Sequence, residues 1–347
     1  MKTLLCIIGV FSLISILALS SKLGSQFDVS ERKHTISIQS VHGNNSSVVV
    51  EIDKKIGFSN QLSNGGFQLA VTTLVFNQGL YLREWIEFHK LMGIQLFVVF
   101  DDNSTDNTVD VLEPYIYSGV VILVHAKKSF SMCAERDPSK IWHLHDACQN
   151  AVFNYALVQL RGKVGWMCNF DVDEFLWTPE NGVSLSLLLR TTYYGYDKID
   201  VVSMVFGTNN ISQPVVDRLV IDTYTRRALA VPLPLFTPYD GDRFGHKSLY
   251  RPTMIHSLGV HDAVCDFYCK VAVIPPLASD IRMNHYQYKS RAEQHLKSIL
   301  NGNPTLDINP EKELVMNEVE DTSIRYIIPV LVQQLLLSAE ESFNLLS

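Results

Sequence analysis

The most chemically loaded stretch of the chain is WMCNFDVDEFLW at residues 166–177, where Asp171, Asp173 and Glu174 interrupt an apolar and aromatic run. Charges are rarely buried unless they are paired or bind a metal. Read as one continuous strand over 166–175, the stretch puts Asp171 and Asp173 on the same side, because side chains alternate with period two. Two carboxylates on one side repel unless a cation stands beside them, and a hard divalent ion takes carboxylates, waters and substrate phosphates as ligands. The bland alternative is a strand end at which the acids meet solvent; the walls of Trp166, Phe170, Phe175 and Trp177 argue against it. A phosphatase-type haloacid dehalogenase site also places DxD after an apolar strand. It needs Thr or Val where this chain has Phe175, and it lies early in its domain.

A second acidic cluster, FDDNSTDNTVDVLE, covers residues 100–113. Its Asp102, Ser104, Asp106, Thr108, Asp110 and Glu113 fall in a calcium-loop register, so a calcium-binding module is a rival reading. Against it, position 6 is Asn107 rather than Gly, and the preceding IQLFVVF is strand-like rather than helical. As a strand-to-helix turn, the cluster offers Asp101, Asp102 and Ser104 to a nucleoside, a ribose or uracil ring, and Asp106 to cap a helix.

Both clusters need elements that bring them together. FQLAVTTLVF (67–76), IQLFVVFDD (94–102), VVILVHA (120–126) and the acid-bearing segment read as strands; YLREWIEFHKLMG (81–93, with Gly93 as C-cap) and HLHDACQNAVFNYALVQLRG (143–162) read as helices. Strands that are apolar throughout and alternate with helices predict an α/β fold with a mostly parallel sheet covered on both faces. Ligands then sit beyond the carboxyl ends of the strands, where both acidic clusters fall.

The chain of 347 residues, 47% hydrophobic and 19% charged, suits one large α/β domain or two smaller ones. A net charge of −7 without a basic stripe gives no reason to expect nucleic acid. Residues 1–20 carry Lys2 and then an apolar run from Leu4, which predicts a signal anchor or a signal peptide cleaved after Ser20, and so entry into the secretory pathway. Residues 21–65 read as a stem, with a β-like patch at 47–52; 66–330 form the catalytic body and 331–347 a C-terminal helix or tail. Outside the apolar segment five cysteines remain, so at most two bridges form; Cys168 is expected buried and free, and Cys265 with Cys269 could bridge locally. Asn-x-Ser sequons at Asn44, Asn45 and Asn210 fit a lumenal surface; Asn103 falls in the second acidic cluster.

Taken in order, YLREWIEFHKLMGIQLFVVFDDNSTDNT, WMCNFDVDEF, VFGTNN (205–210), HKSLYRP (246–252) and RMNHYQYKSRAEQHLK (282–297) resemble glycosyltransferase family 92, over about Phe67 to Tyr326. The resemblance implies a GT-A type Rossmann-like fold, Mn²⁺ held through a DxD motif, a UDP-sugar donor with galactose foremost, a glycan acceptor and inversion; the N-terminal segment adds the expectation of a single-pass type II place in the Golgi membrane, or of secretion if it is cleaved. The resemblance also implies roles: Asp171 and Asp173 at the metal, with His285 or His261 as a further ligand; Asp262 or Glu174 as the base; Lys247 and Arg251 at the diphosphate; Gly207 for close backbone approach to a sugar. One departure is Gln78, where the family carries Glu after Asn. The rivals are a catalytically inactive or calcium-binding lumenal module, and a nucleotidyltransferase, which would carry a Gly-rich basic loop that VFNQGLYLREW lacks.

Overall fold

In the computed structural model, residues 36–38, 48–50, 67–134, 141–230, 244–300 and 310–346 are described. Residues 1–20, and with them the expected anchor, lie outside the described residues, as does most of the expected stem. No helix among the described residues is long and apolar enough to cross a membrane.

The sheet is built from β1 (Phe67–Val75), β2 (Leu96–Asp101), β3 (Val121–His125), β4 (Val164–Asn169), β5 (Glu174–Trp177), β6 (Lys198–Val205), β7 (Phe244–Tyr250), β10 (Val271–Ile274) and β11 (Arg282–His285). A separate hairpin, β8 (Ile255–Leu258) and β9 (Ala263–Cys265), follows β7. Among the described residues the main sheet has nine strands, in the order β3-β2-β1-β4-β7-β6-β11-β5, with β10 also on β6. The block β3-β2-β1-β4 is parallel throughout, as its apolar runs require. Beyond it the sheet is mixed: β7 runs antiparallel to both β4 and β6, and β5 antiparallel to β11.

Helices cover both faces. On β1, Leu69, Val71 and Val75 pack with Leu82, Trp85 and Ile86 of α1 (Gly79–Leu91), while Ala70 and Leu74 pack with Val152, Phe153 and Leu157 of α3 (Ile141–Leu160). Between these two, α2 (Thr108–Tyr117) contributes Leu112 and Tyr115 to the first face. The end of α1 shows how the sequence stops a helix. Gly93, at φ +94°, donates its N–H to Lys90 O, and Ile94 donates to His89 O, a Schellman closure that needs a left-handed residue.

One expectation is corrected here. The acid-bearing segment is not one strand: β4 ends at Asn169, Phe170 N–H still bonds Thr72 O, and residues 171–174 form a turn closed by Glu174 N–H to Asp171 O. The chain then re-enters the sheet as β5 at the opposite edge, four strand spacings away. In a flat sheet that is about 19 Å, whereas five residue steps reach at most ~17 Å. The sheet therefore curls, bringing β5 over the face that carries α1, where Trp85 Nε1 donates to Glu174 O and Leu176 N–H to His89 Nε2. The acids are gathered by a turn and not by strand alternation.

Cys133 bridges Cys148, Cys265 bridges Cys269, and Cys168 is buried and free. A Cβ on Gly93 would stand 2.8 Å from Ser186 Oγ, in addition to the left-handed backbone. Gly93→Ala is therefore expected to lower stability by about 1–2 kcal/mol, read as a shift in the denaturant midpoint at unchanged m-value.

Candidate active site

The acid turn sits at the carboxyl end of β4, beside the carboxyl ends of β1 and β2. At its centre is Lys247 of β7, whose side chain is 2% exposed and whose Nζ lies 3.2 Å from both Asp171 Oδ2 and Glu174 Oε2. Gln149 of α3 donates to Asp171 Oδ1 at 2.9 Å, and Asp171 N–H donates to Glu174 Oε2 at 3.0 Å. Asp171 and Glu174 are thus knit together by one ammonium, one amide and one backbone N–H.

Asp173 faces the other way. Its Oδ1 is 3.5 Å from His285 Nε2 on β11, its Oδ2 is 3.7 Å from Lys297 Nζ, and its carbonyl accepts from Tyr286 N–H. Lys297 lies on α4 (Arg291–Leu300), whose start is fixed by a reciprocal cap: Glu293 accepts from Ser290 N–H and Oγ, and Glu293 N–H donates to Ser290 Oγ.

Charge states follow from these neighbours. Burial alone would raise Asp173, but Lys297, His285 and Lys289 hold it well below the usual carboxylate range. Burial works against Asp171 too, and Lys247 brings it down. Glu174 is pushed up, chiefly by burial. Lys247 would be lowered by burial, yet Asp171 and Glu174 raise it, so it stays an ammonium. His285 is likewise raised by Asp173 against the effect of burial. His261 goes the other way: burial and the Lys247 charge take it down to about 4, leaving a neutral imidazole at neutral pH.

The remaining expected residues separate into those the fold brings to this end and those it does not. Asp262 lies in the turn between β8 and β9, is 58% exposed, and bonds His246 Nε2 through Oδ1 at 2.7 Å. The same turn is tied to the acids because Lys247 Nζ also donates to Val260 O. Asp101, Asp102 and Ser104 lie at the end of β2: Asp101 Oδ1 accepts from Ser104 N–H, its Oδ2 faces His125 Nδ1 at 3.4 Å, and Ser104 Oγ accepts from Asn77 N–H. Burial opposes ionisation of Asp101, but the bonds from His125 and Ser104 keep its pKa below the ordinary value. Asp106 accepts from both Gly79 N–H and Thr108 N–H, so it serves the starts of α1 and α2 together.

This loop is entered from strand β2, where an EF-hand requires a helix, so the calcium-loop register does not form an EF-hand. Gln78 turns its amide back to Phe76 O.

Three expected roles change. Arg251 lies at the opposite end of β7, four residues past Lys247 along a strand antiparallel to β4; it stacks on Trp166 and donates to Tyr196 O and Tyr194 O. Gly207 is small because Met316 O and Asn317 Oδ1 would each lie 2.6 Å from a Cβ there, so it admits α5 (Pro310–Met316) and its following turn, not a sugar. Glu174 is sealed at 2% exposure under Lys247, which removes it from the position of a base facing an acceptor. Lys247 is in the site, as the counter-ion of the acids. Gln149, Lys289 and Lys297 were not foreseen. Both lysines lie in the stretch at 282–297, but a lysine by itself reads as solvated charge, and nothing in the helix pattern marks Gln149 as inward-facing.

Among the described residues, no three His, Cys, Asp or Glu side chains converge as a ready-made cation site. Asp173 with His285 is nevertheless a fitting pair. Two ligands of one cation at bonds of about 2.1 Å stand roughly 3.0–3.5 Å apart, and Oδ1 and Nε2 are separated by 3.5 Å. The remaining positions of a hard divalent ion are commonly filled by water and phosphate oxygen.

With this geometry in hand, comparison with known proteins assigns the class. The profile of glycosyltransferase family 92 matches residues 66–327, most of the chain, and the chain belongs to that family. A glycosyltransferase family 92 protein of Ricinus communis is 23% identical over 245 residues, 67% of this chain and 37% of the relative. One of Arabidopsis thaliana is 23% identical over 264 residues, 73% of this chain and 39% of the relative. The chain thus aligns with less than half the length of these relatives. Among solved structures, S. aureus TarS 1–349 is similar at TM-score 0.33 and 13% identity, covering 75% of this chain and 72% of that one. Glucosyl-3-phosphoglycerate synthase of Mycobacterium tuberculosis, crystallised with Mn²⁺ and UDP, is similar at TM-score 0.32 and 12% identity, covering 76% and 84%. Likenesses this slight carry no weight for function.

Two measurements probe the electrostatics. Lys247→Met strips the ammonium from the buried Glu174 and from Asp171, whose side chain is 35% exposed, and is expected to cost about 3 kcal/mol, the low end for a buried pair because water screens Asp171; adding Glu174→Gln should recover part of the loss, read by chemical denaturation of both variants. Glu84, fully buried on α1, accepts from Val220 N–H and Ile221 N–H, with Lys289 and Asp222 nearby; burial raises its pKa from 4.5 to about 7. A carboxyl raised on folding stabilises below its unfolded pKa and loses that contribution as pH climbs through its folded one. Glu84→Gln is thus expected to remove roughly 3 kcal/mol of stability loss between pH 4.5 and 7, seen as a flatter curve of unfolding free energy against pH.

Proposed function

We propose that this chain is an inverting glycosyltransferase that moves a hexose, galactose by the family expectation, from a UDP-sugar to a glycan acceptor with the help of Mn²⁺. The observation that carries the reading is the acid turn at the carboxyl end of β4, where Asp173 and His285 face each other amid Lys289 and Lys297. A site with acids on one side and ammonium groups on the other suits a cation–diphosphate pair better than either ion alone.

In this reading Asp173 and His285 hold the cation, with Asp171 behind them. When bound, the metal acts as a Lewis acid on the diphosphate and neutralises the charge that grows on the leaving group. Lys247 and Gln149 fix the Asp171 carboxylate, so the turn does not spring apart under its own repulsion. Asp101, Asp102 and Ser104 line the nucleoside side at the end of β2.

Asp262 takes the proton of the acceptor hydroxyl. Its carboxylate is exposed, and the His246 bond is the main cause that keeps its pKa low. Inversion requires such a base on the face opposite the leaving group. Two disulfides in the described body support a lumenal setting, and the apolar segment of residues 1–20 would hold the chain at the Golgi membrane as a type II protein.

The reading is tested by calorimetric titration with UDP, with and without Mn²⁺, on wild type and Asp173→Asn. Metal-dependent UDP binding is expected in wild type and its loss, by at least tenfold, in the variant. Binding of UDP that ignores both the metal and the substitution would overturn it.

A further inference from the structure

Lys289 is the oddest charge in the molecule. It is 8% exposed, and among the described residues its ammonium forms no ion pair with a carboxylate; it lies 4.1 Å from the centroid of the Tyr81 ring. Asp173, Glu293 and Glu84 act on it only from a distance, and burial pulls its pKa down. A buried cation without a paired anion is costly. The backbone adds to the cost, for Lys289 holds φ +32°, a region that non-glycine residues occupy chiefly where structure around them enforces it.

The surroundings are built to enforce it. On the far side of the residue, Ser290 is the N-cap of α4 and is locked to Glu293 by the reciprocal cap. Glu293 also accepts from the Tyr81 hydroxyl, so the ring beneath the ammonium and the helix after it are fastened to one carboxylate. Two turns on, Lys297 reaches Asp173. Aromatic face, strained backbone and capped helix hold one ammonium beside the acid turn, with Asp173, Glu293 and Glu84 near it but none in direct contact among the described residues.

We propose that Lys289 is the seat of the diphosphate, supplying the direct ammonium contact to the phosphate next to the transferred sugar, with Tyr81 as the positioning residue beneath it. This rests on the donor reading above and deepens it: the site selects nucleoside diphosphates over nucleoside monophosphates because the second phosphate is the anion Lys289 lacks. As the glycosidic bond breaks, its electron pair passes to the oxygen of that phosphate, and the ammonium meets the new charge without giving up a proton. Lys297, half-exposed and engaged with Asp173, is the weaker contributor.

The test uses the full chain with Mn²⁺ and three probes: UDP, UMP and uridine. Lys289→Met is expected to weaken UDP roughly tenfold to a hundredfold, to weaken UMP much less, and to leave uridine unchanged; Lys289→Arg should restore part of the UDP affinity. Thermal unfolding of Lys289→Met should show a midpoint at or above that of wild type, because a strut would lose stability and an anion seat would not. Equal losses for UDP and uridine, or no loss for either, overturn the seat while leaving the donor reading in place. Absence of UDP binding in wild type overturns both. A second readout needs no variant: with UDP bound, Lys289 should resist acylation by an amine-directed reagent, followed by peptide mass spectrometry, and equal labelling with and without UDP counts against the seat.

Discussion

The interaction on which the site depends is the bridge from Lys247 to Asp171 and Glu174. Three carboxylates within four residues would drive a turn apart or force protonation in a site this dry. One buried ammonium on the neighbouring antiparallel strand settles two of them and leaves Asp173 to His285 and Lys297. The same ammonium bonds Val260 O and so fixes the hairpin turn that presents Asp262. A single side chain thereby sets the relation between the acids proposed to meet a donor and the carboxylate proposed to meet an acceptor. Its placement on β7 works because that strand runs against β4, so its early residues lie level with the turn at β4's end.

The fold supplies a second constraint through curvature. A mixed half that closes over α1 brings β11, and with it His285, to the acid turn from the opposite edge of the sheet. Asp173 meets His285 because the next residue, Glu174, pairs with His285 in the β5–β11 ladder, and the curl carries that pair back to the end of β4. The site is therefore a product of long-range pairing, which no local sequence window encodes.

That sets the limit of what was legible in the sequence. The parallel block could be read because β-branched runs and helical spacing are local, and α1, α3 and the first three strands come within a few residues of the expectation. The acid turn was misread as strand because apolar residues flank it on both sides, and hydrophobicity alone does not report where a ladder ends. Arg251 and Gly207 failed for a shared reason: their partners, Trp166 and Met316, are remote in the chain, so an arginine and a glycine in conspicuous motifs look chemical when they are architectural. Asp173 and His285 do meet, for a reason the strand argument did not contain, while Asp171 turns to Lys247 and Gln149.

The four-residue link between β4 and β5 has a further consequence. It is a seam between the parallel block and the curled half, and it carries the acids in its own backbone turn. Any rotation of one half against the other must pass through Asp171 to Glu174 and would alter the spacing between Asp171, bonded to Gln149 on the parallel side, and Asp173, held by His285 and Tyr286 N–H on the curled side. A ligand gripping that spacing would act as a rivet across the seam, so the cohesion of the whole domain would rise with the concentration of that ligand.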